Sequence, residues 1–160
     1  MNRRNAIKQL FIVAGGIAIA TSCDFSSNAT SIKLNNVQLN KKDEDLIADL
    51  VEAIIPKTDS PGAKELNLHL FVMKMVDDCA SPEDQKAFLD GLKKAKDLMG
   101  KPSNNIQTYF SNLPKEEEKF YAILKRRTIQ GYKNSEYVMK NKLVYELVPG
   151  RYNGAYKINV

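Results

Sequence analysis

The sequence predicts an all-α protein, an irregular bundle of about five helices with an extended C-terminal tail. Apolar residues recur at helical spacing in several segments after residue 40, and glycine, proline and capping residues separate these segments. No segment alternates apolar and polar residues for long enough to require a strand. With 160 residues, of which 43% are hydrophobic and 27% charged, the chain has the size and composition of one globular domain.

The N-terminal residues have the organisation of an export signal. Arg3 and Arg4, followed by Lys8, stand in the order of a twin-arginine motif. The apolar stretch of 11 residues at 10–20 is too short to span a bilayer as a stable anchor, which is typical of a signal peptide. The alternative is an ordinary secretory signal in which the two arginines are incidental.

The signal ends at a cysteine. Small residues directly precede Cys23, as in lipoprotein signals, so we expect a signal peptide at residues 1–22 and lipid attachment at Cys23. A lipid-linked sulfur cannot form a disulfide, so Cys79 is predicted to be a free thiol, packed as a small apolar side chain. Residues 23–40, rich in serine, asparagine and threonine, are predicted to be a flexible tether. The protein is therefore expected to be exported and lipid-anchored to a bacterial membrane, facing the periplasm.

The charge of the exported part argues against nucleic-acid binding. Removing Arg3, Arg4 and Lys8 lowers the count of lysines and arginines from 24 to 21, against 19 acidic residues. The net charge thereby falls from +5 to +2, which is too small for a surface that binds phosphate backbones.

The exported part also lacks the residues of a cofactor or catalytic site. It contains no glycine-rich phosphate loop and no haem attachment motif, and His69 is its only histidine. We therefore predict no catalytic, cofactor-binding or metal-binding residue in this chain. Because the twin-arginine route exports folded proteins, which usually hold a cofactor, we infer a partner that holds the cofactor instead.

The predicted helical domain covers residues 41–160, and its first helix covers 41–55. The helix has one apolar stripe, and acidic residues at 43–45 complement the dipole of its first turn. Pro56 and the turn residues 58–62 end it. The stripe consists of Leu46, Ile47, Leu50, Val51, Ile54 and Ile55.

Two longer helices are predicted next, at about residues 63–78 and 82–99. Ser81 can cap the second of these, and Pro82 fits its first position. A short helix is expected within residues 104–112.

The C-terminal part is predicted to contain two more helices and the tail. One helix runs from Pro114 to about Tyr132, and its acidic residues 116–118 are predicted to be solvated, as are those at 43–45. Ser135 caps a last short helix that reaches about residue 143 or 145, and the tail begins at residue 148. The basic residues 125–127 are interpreted as a solvated helix end.

Four segments of this domain resemble the gluconate 2-dehydrogenase subunit 3 family. They are residues 54–63 (IIPKTDSPGA), 88–92 (FLDGL), 128–132 (TIQGY) and 145–152 (YELVPGRY). The similarity spans roughly residues 46–154, which is nearly all of the predicted domain. Each motif alone has little specificity, but their order behind a twin-arginine signal is fairly specific.

The resemblance implies a non-catalytic accessory subunit. Its partner would be a flavin-dependent sugar or polyol dehydrogenase of the glucose-methanol-choline type, with FAD in that partner subunit. A cytochrome c subunit is a further partner that the resemblance allows. The small subunit would escort the dehydrogenase across the membrane and dock it there. The alternatives are a free-standing envelope lipoprotein that binds sugar or peptide and, less favoured, an independent hydrolase.

Six residues are predicted to contact the partner. A Pro-Gly pair stiffens a turn, and arginine and tyrosine are enriched at interface hot spots. The alternative is a tail that packs back on its own bundle. The candidates are Tyr132, Tyr145, Pro149, Gly150, Arg151 and Tyr152.

Overall fold

The computed structural model describes residues 28–99, 106–111, 114–143 and 155. Within these residues the chain is helical and contains no strand, so the all-α prediction is confirmed. A short 3₁₀ helix, Lys115–Glu117, precedes the fifth α-helix. The α-helices are α1 Lys41–Ile54, α2 Leu68–Cys79, α3 Pro82–Met99, α4 Ile106–Ser111, α5 Glu118–Lys133 and α6 Glu136–Asn141.

Helix α1 begins where the sequence predicts it, because Asn40 caps it. The Asn40 side chain accepts a hydrogen bond from the backbone N–H of Asp43 at 3.1 Å, and the Asp43 carboxylate accepts one from the N–H of Asn40 at 3.1 Å. This capping box satisfies two N–H groups that the first turn leaves free. The helix buries Ile47, Leu50 and Val51 from its apolar stripe.

Helix α2 begins at Leu68, so the prediction that it begins near residue 63 is wrong. Residues 63–67 form turns instead. The N–H of Ala63 donates to the carbonyl of Ile55 at 2.9 Å, which ties this segment to the end of α1. Asn67 has a left-handed backbone with φ 52°, a conformation that interrupts a right-handed helix. The helical spacing of the leucines continues through this turn and conceals it in the sequence.

The core lies between α1, α2, α3 and α5. Phe88 of α3 and Phe120 of α5 are buried, with ring centroids 5.2 Å apart at an interplanar angle of 55°. Gly91 lets the two helices approach closely, because a Cβ at this position would lie 2.3 Å from Cβ of Phe120. The FLDGL motif therefore serves the packing of α3 against α5.

The segment at 28–40 differs from the predicted flexible tether. It has no regular secondary structure, but it packs against the helices and buries Val37, which is 5% exposed. The buried carboxylates of Glu44 and Asp77 accept hydrogen bonds from its backbone. The composition of the segment predicts flexibility, because it does not reveal that Glu44 in α1 and Asp77 in α2 bind the backbone of the segment.

Among the described helices, none combines the length and the apolar character that a membrane-spanning helix needs.

Candidate partner interface

The loop between α1 and α2, residues 55–67, is held in shape by one carboxylate. Oε1 of Glu52 accepts a hydrogen bond from the N–H of Lys57 at 3.1 Å, and its Oε2 accepts one from the N–H of Lys64 at 2.8 Å. A single side chain of α1 thereby fixes both arms of the loop.

Gly62 is the residue that allows Glu52 to reach the loop. A Cβ at Gly62 would lie 2.5 Å from Oε1 of Glu52 and 2.8 Å from the backbone nitrogen of Lys57. These distances are shorter than van der Waals contact, so a side chain here would displace the carboxylate or the backbone. The glycine of the IIPKTDSPGA motif is therefore required by close packing.

The C-terminal end of α5 meets this loop. The phenol of Tyr132 donates a hydrogen bond to Oγ of Ser60 at 3.2 Å. One residue earlier, Gly131 packs against the ring of Phe71, where a Cβ would lie 2.8 Å from Cδ1. Thr128 is buried, and its hydroxyl donates to the carbonyl of Leu124 at 2.7 Å. The structure thus brings the TIQGY motif against IIPKTDSPGA, at residues that the sequence separates by about seventy positions.

Next to this contact, a groove of about 340 Å³ lies between the start of α2 and the end of α5, and Gly131 is the one residue of the two motifs in its lining. Its apolar lining comes from Leu66, Leu68 and Phe71. Its polar lining comes from two parts of the chain: the loop before α2, with Glu65 and Asn67, and the turn between α5 and α6, with Asn134, Ser135 and Glu136. We call these groove residues, together with Ser60 and Tyr132, the groove surface. The full lining is Glu65, Leu66, Asn67, Leu68, Phe71, Gly131, Asn134, Ser135 and Glu136.

The charges at this groove are paired. Lys57 and Glu65 form an ion pair at 2.9 Å, and Lys140 and Glu136 form another at 2.5 Å. The hydrogen bond to Glu65 raises the pKa of Lys57, and the hydrogen bond from Lys140 lowers the pKa of Glu136. Both pairs are solvent-exposed, so they contribute little to stability. An apolar lining with paired charges beside it is an arrangement that can accept an apolar side chain of another protein.

One lining residue has an unusual backbone. Asn67 is the one described non-glycine residue with positive φ, and no side-chain hydrogen bond caps the helix that follows it. Asparagine tolerates the left-handed region better than most residues, and such conformations are enriched at functional sites. This observation adds to the reasons for treating the groove as the candidate site.

The described residues contain no group of three or more histidine, cysteine or acidic side chains that could hold a metal ion. His69 lies in the first turn of α2, and its buried Nδ1 has no hydrogen-bond partner. Burial lowers the pKa of His69, which favours the neutral imidazole. It does not line the groove.

Cys79 is exposed, so the prediction of a packed thiol is wrong. It is the last residue of α2, where the helix ends at the surface. The sequence placed it on a helix but not on a particular face of the bundle.

Of the predicted site residues, the structure describes Tyr132, which is half-buried, bonds to Ser60 and follows the groove residue Gly131; its role as a partner contact stays a prediction. The sequence analysis did not select Ser60, Glu52 or Asn67 as site residues. The prolines and the glycine that follow α1 predict a loop there, but they do not predict which residues it contacts. The remaining predicted residues lie outside the described part of the chain. They are Arg3, Arg4, Lys8 and Cys23 of the signal, and Tyr145, Pro149, Gly150, Arg151 and Tyr152 of the tail.

The chain was compared with known proteins at the level of families, curated proteins and structures. Residues 41–105 and 106–150 match the family model of gluconate 2-dehydrogenase subunit 3. No curated protein and no solved structure matches the chain significantly. The matched residues include both motifs that meet at the groove surface.

Proposed function

This chain belongs to the gluconate 2-dehydrogenase subunit 3 family, and we propose that it is a non-catalytic small subunit that docks a flavin-dependent dehydrogenase through the groove surface. The family name is that of a subunit, which supports an accessory role in a dehydrogenase complex. The partner is proposed to be a sugar or polyol dehydrogenase of the glucose-methanol-choline type, which holds FAD. A cytochrome c subunit is proposed as a further member of the complex.

The observation that carries the docking proposal is the meeting of two family-like motifs at one surface. Gly131 lines the groove and packs closely against Phe71, and Gly62 leaves room for the Glu52 carboxylate that holds the loop of Ser60. Ser60 and Tyr132, one from each motif, bond to each other and are partly exposed. The motif residues therefore build a shaped surface, which is what a docking role requires.

The route to the membrane is proposed from the N-terminal residues. We propose that Arg3 and Arg4 direct export, that Cys23 is lipidated, and that the dehydrogenase leaves the cytoplasm together with this subunit. The subunit and its partner would then face the periplasm. The motivation is a folded-protein export signal on a chain whose sequence shows no cofactor motif.

The docking role is tested by filling the groove. Asn134 lines the groove and is exposed, so Asn134→Arg should block the partner without unfolding the bundle. Asn141→Arg, an exposed asparagine at the end of α6, is the matched control. Each variant is co-expressed with the flavin dehydrogenase of the same gene neighbourhood, and the bound flavin that co-purifies is measured from its absorbance.

We expect Asn134→Arg to lose most of the co-purifying flavin and Asn141→Arg to retain it. Equal recovery with both variants would place the interface elsewhere. If the wild-type subunit recovers no dehydrogenase at all, the accessory role fails, and a free-standing lipoprotein becomes the better interpretation.

A further inference from the structure

The buried carboxylate of Asp77, near the end of α2, holds three consecutive backbone N–H groups of the N-terminal segment. Oδ1 accepts from Asn36 at 2.6 Å and from Val37 at 3.0 Å, and Oδ2 accepts from Asn35 at 2.8 Å. Asp77 is 1% exposed. Burial raises its pKa, but the three N–H groups and Lys74 outweigh burial and hold the pKa well below its usual range. The carboxylate is therefore ionised at neutral pH and fixes this part of the segment.

A second buried carboxylate, Glu44 in α1, holds the segment closer to its start. Its Oε2 accepts from the N–H of Ser31 at 2.6 Å, and its Oε1 accepts from the Ser31 hydroxyl at 2.6 Å. Lys41 completes the site at 2.5 Å. Burial raises the pKa of Glu44, but the bonds from Lys41 and Ser31 lower it by more. The backbone of Ser31 is thus tied to the first turns of α1.

The first described residues lie at the start of α1. The N–H of Lys41 donates to the carbonyl of Asn28 at 3.0 Å, so residue 28 lies beside the first residue of the helix. From residue 28 onward the chain lies against the bundle, held at 28, 31 and 35–37. Only the residues between Cys23 and Asn28 separate the predicted lipid from this point.

The groove surface lies at the other end of α1. The N–H of Ala63 donates to the carbonyl of Ile55, directly after the last residue of the helix, and Glu52 in its last turn holds the loop that carries Ser60. Helix α1 has 14 residues, which gives a length of about 21 Å at 1.5 Å per residue. Asn28, from which the chain would continue to the lipid, is therefore separated from the loop of Ser60 by the length of α1.

We propose that the lipid at Cys23 keeps the start of α1 close to the headgroups of the bilayer, and that the groove surface, near the other end of α1, lies on average farther from the membrane. This inference rests on the proposed lipid anchor. Five residues, from Cys23 to Asn28, extend at most about 18 Å. The predicted tether has 17 residues from Cys23 to Asn40. If all of it were free, it would extend up to about 60 Å, and neither end of α1 would be held near the membrane. The hydrogen bonds at residues 28–37 remove most of that freedom.

The orientation is tested by fluorescence on the lipidated full-length protein in vesicles of phosphatidylcholine and phosphatidylglycerol. All variants carry Cys79→Ser, so that one engineered thiol takes the dye. Lys42→Cys places the dye at the start of α1, and Asp59→Cys places it in the loop after α1; both positions are exposed. The vesicles contain nitroxide-labelled headgroups, which quench only nearby dyes.

We expect the dye at residue 42 to lose clearly more of its fluorescence than the dye at residue 59. A flexible insertion of twelve glycine and serine residues directly before Asn28 should abolish this difference, because it restores a long tether outside the folded part. Equal quenching at both positions without the insertion would overturn the orientation.

The intact mass of the purified protein separates this result from failure of the anchor. An acylated Cys23 with equal quenching contradicts the orientation alone. An unmodified Cys23 contradicts the anchor itself, and with it both this inference and the membrane part of the proposed function. The docking role, tested by the Asn134→Arg variant, would be unaffected by either outcome.

Discussion

The phenol of Tyr132 and the hydroxyl of Ser60 form a hydrogen bond at 3.2 Å across 72 residues of sequence. This bond joins the end of α5 to the loop after α1, the two elements that carry the family-like motifs. Both side chains are partly exposed, so the bond is open to competition from water. Its main effect is to hold the loop in one position relative to α5.

We expect Tyr132→Phe and Ser60→Ala each to lower the free energy of unfolding by about 0.5–1 kcal/mol, as is typical for one solvent-accessible hydrogen bond. The double variant should lose no more than either single variant, because the two side chains share one interaction. Urea unfolding of the four proteins measures this cycle. Fully additive losses would show that the bond does not couple the two elements.

Removal of the Asp77 carboxylate should release the N-terminal segment. Asp77→Asn replaces an acceptor of three backbone N–H groups by an amide with one acceptor oxygen, and each unsatisfied buried donor costs about 1–3 kcal/mol. We expect a loss of at least about 2 kcal/mol at pH 7. The neighbour Asp78, whose side chain is 43% exposed and pairs with Lys74, provides the control variant Asp78→Asn.

The effect of Asp77 should depend on pH. Its pKa is lowered in the folded protein, so the carboxylate stabilises the fold above its unfolded pKa of about 4, and the stabilisation is lost as the pH falls toward the folded pKa. The difference between wild type and Asp77→Asn should therefore shrink when unfolding is measured at pH 3 instead of pH 7. A difference that stays constant would assign the loss to packing.

Gly91→Ala should destabilise the bundle without directly changing the groove surface, whose lining does not include Gly91. The added Cβ would lie 2.3 Å from Cβ of Phe120, so α3 and α5 would have to separate. Overpacking of this kind costs about 1–3 kcal/mol, occasionally more. Thermal unfolding monitored by circular dichroism measures the loss, with the exposed neighbour Asp90→Ala as the control. An unchanged midpoint would mean that the two helices adapt without cost.

Tyr109 and Glu117 should make stability fall at high pH. The Tyr109 phenol donates to Oε2 of Glu117 at 2.6 Å, and the two residues are 7% and 4% exposed. Burial and the carboxylate raise the pKa of Tyr109 above its usual value of 10.0, so the folded state keeps a proton that the unfolded state releases above about pH 10. The stabilisation is complete below that pH and is lost as the pH rises.

Tyr109→Phe provides the test of this pH dependence. The variant should be less stable at pH 7, because a buried carboxylate loses its donor, by about 1–3 kcal/mol. Its stability should also fall less steeply between pH 9 and pH 11 than that of the wild type. Parallel decreases in the two proteins would contradict the assignment to Tyr109. Unfolding by urea at each pH provides the data.

The helices could be predicted well where local signals determine them. Asn40 and Ser135 cap helices with their own side chains, and Pro82 occupies a first helical position, so the starts of α1, α3 and α6 follow from neighbouring residues. The start of α2 could not be predicted in this way, because it depends on the left-handed backbone of Asn67 and on a bond from Ala63 to Ile55.

The buried acidic residues show the limit of sequence reasoning most clearly. Glu44 and Glu117 belong to acidic runs that predict solvated first turns, yet they are 1% and 4% exposed. Each is buried because a distant or irregular segment supplies its donor, Ser31 in one case and Tyr109 in the other. The contact of Tyr132 with Ser60 has the same origin: the sequence predicts Tyr132 as an interface residue, but only the folded chain brings it to a residue 72 positions away.

The segment that Glu44 and Asp77 hold, residues 31–37, also determines where a protease can cut. Proteases bind their substrates in an extended conformation and compete for the backbone amides, and at Ser31, Asn35, Asn36 and Val37 those amides are already bound to buried carboxylates. Cleavage within this stretch therefore requires the segment to detach first. If Cys23 is lipidated as we propose, a cut on the N-terminal side of this stretch would release the bundle from the bilayer with the groove surface intact.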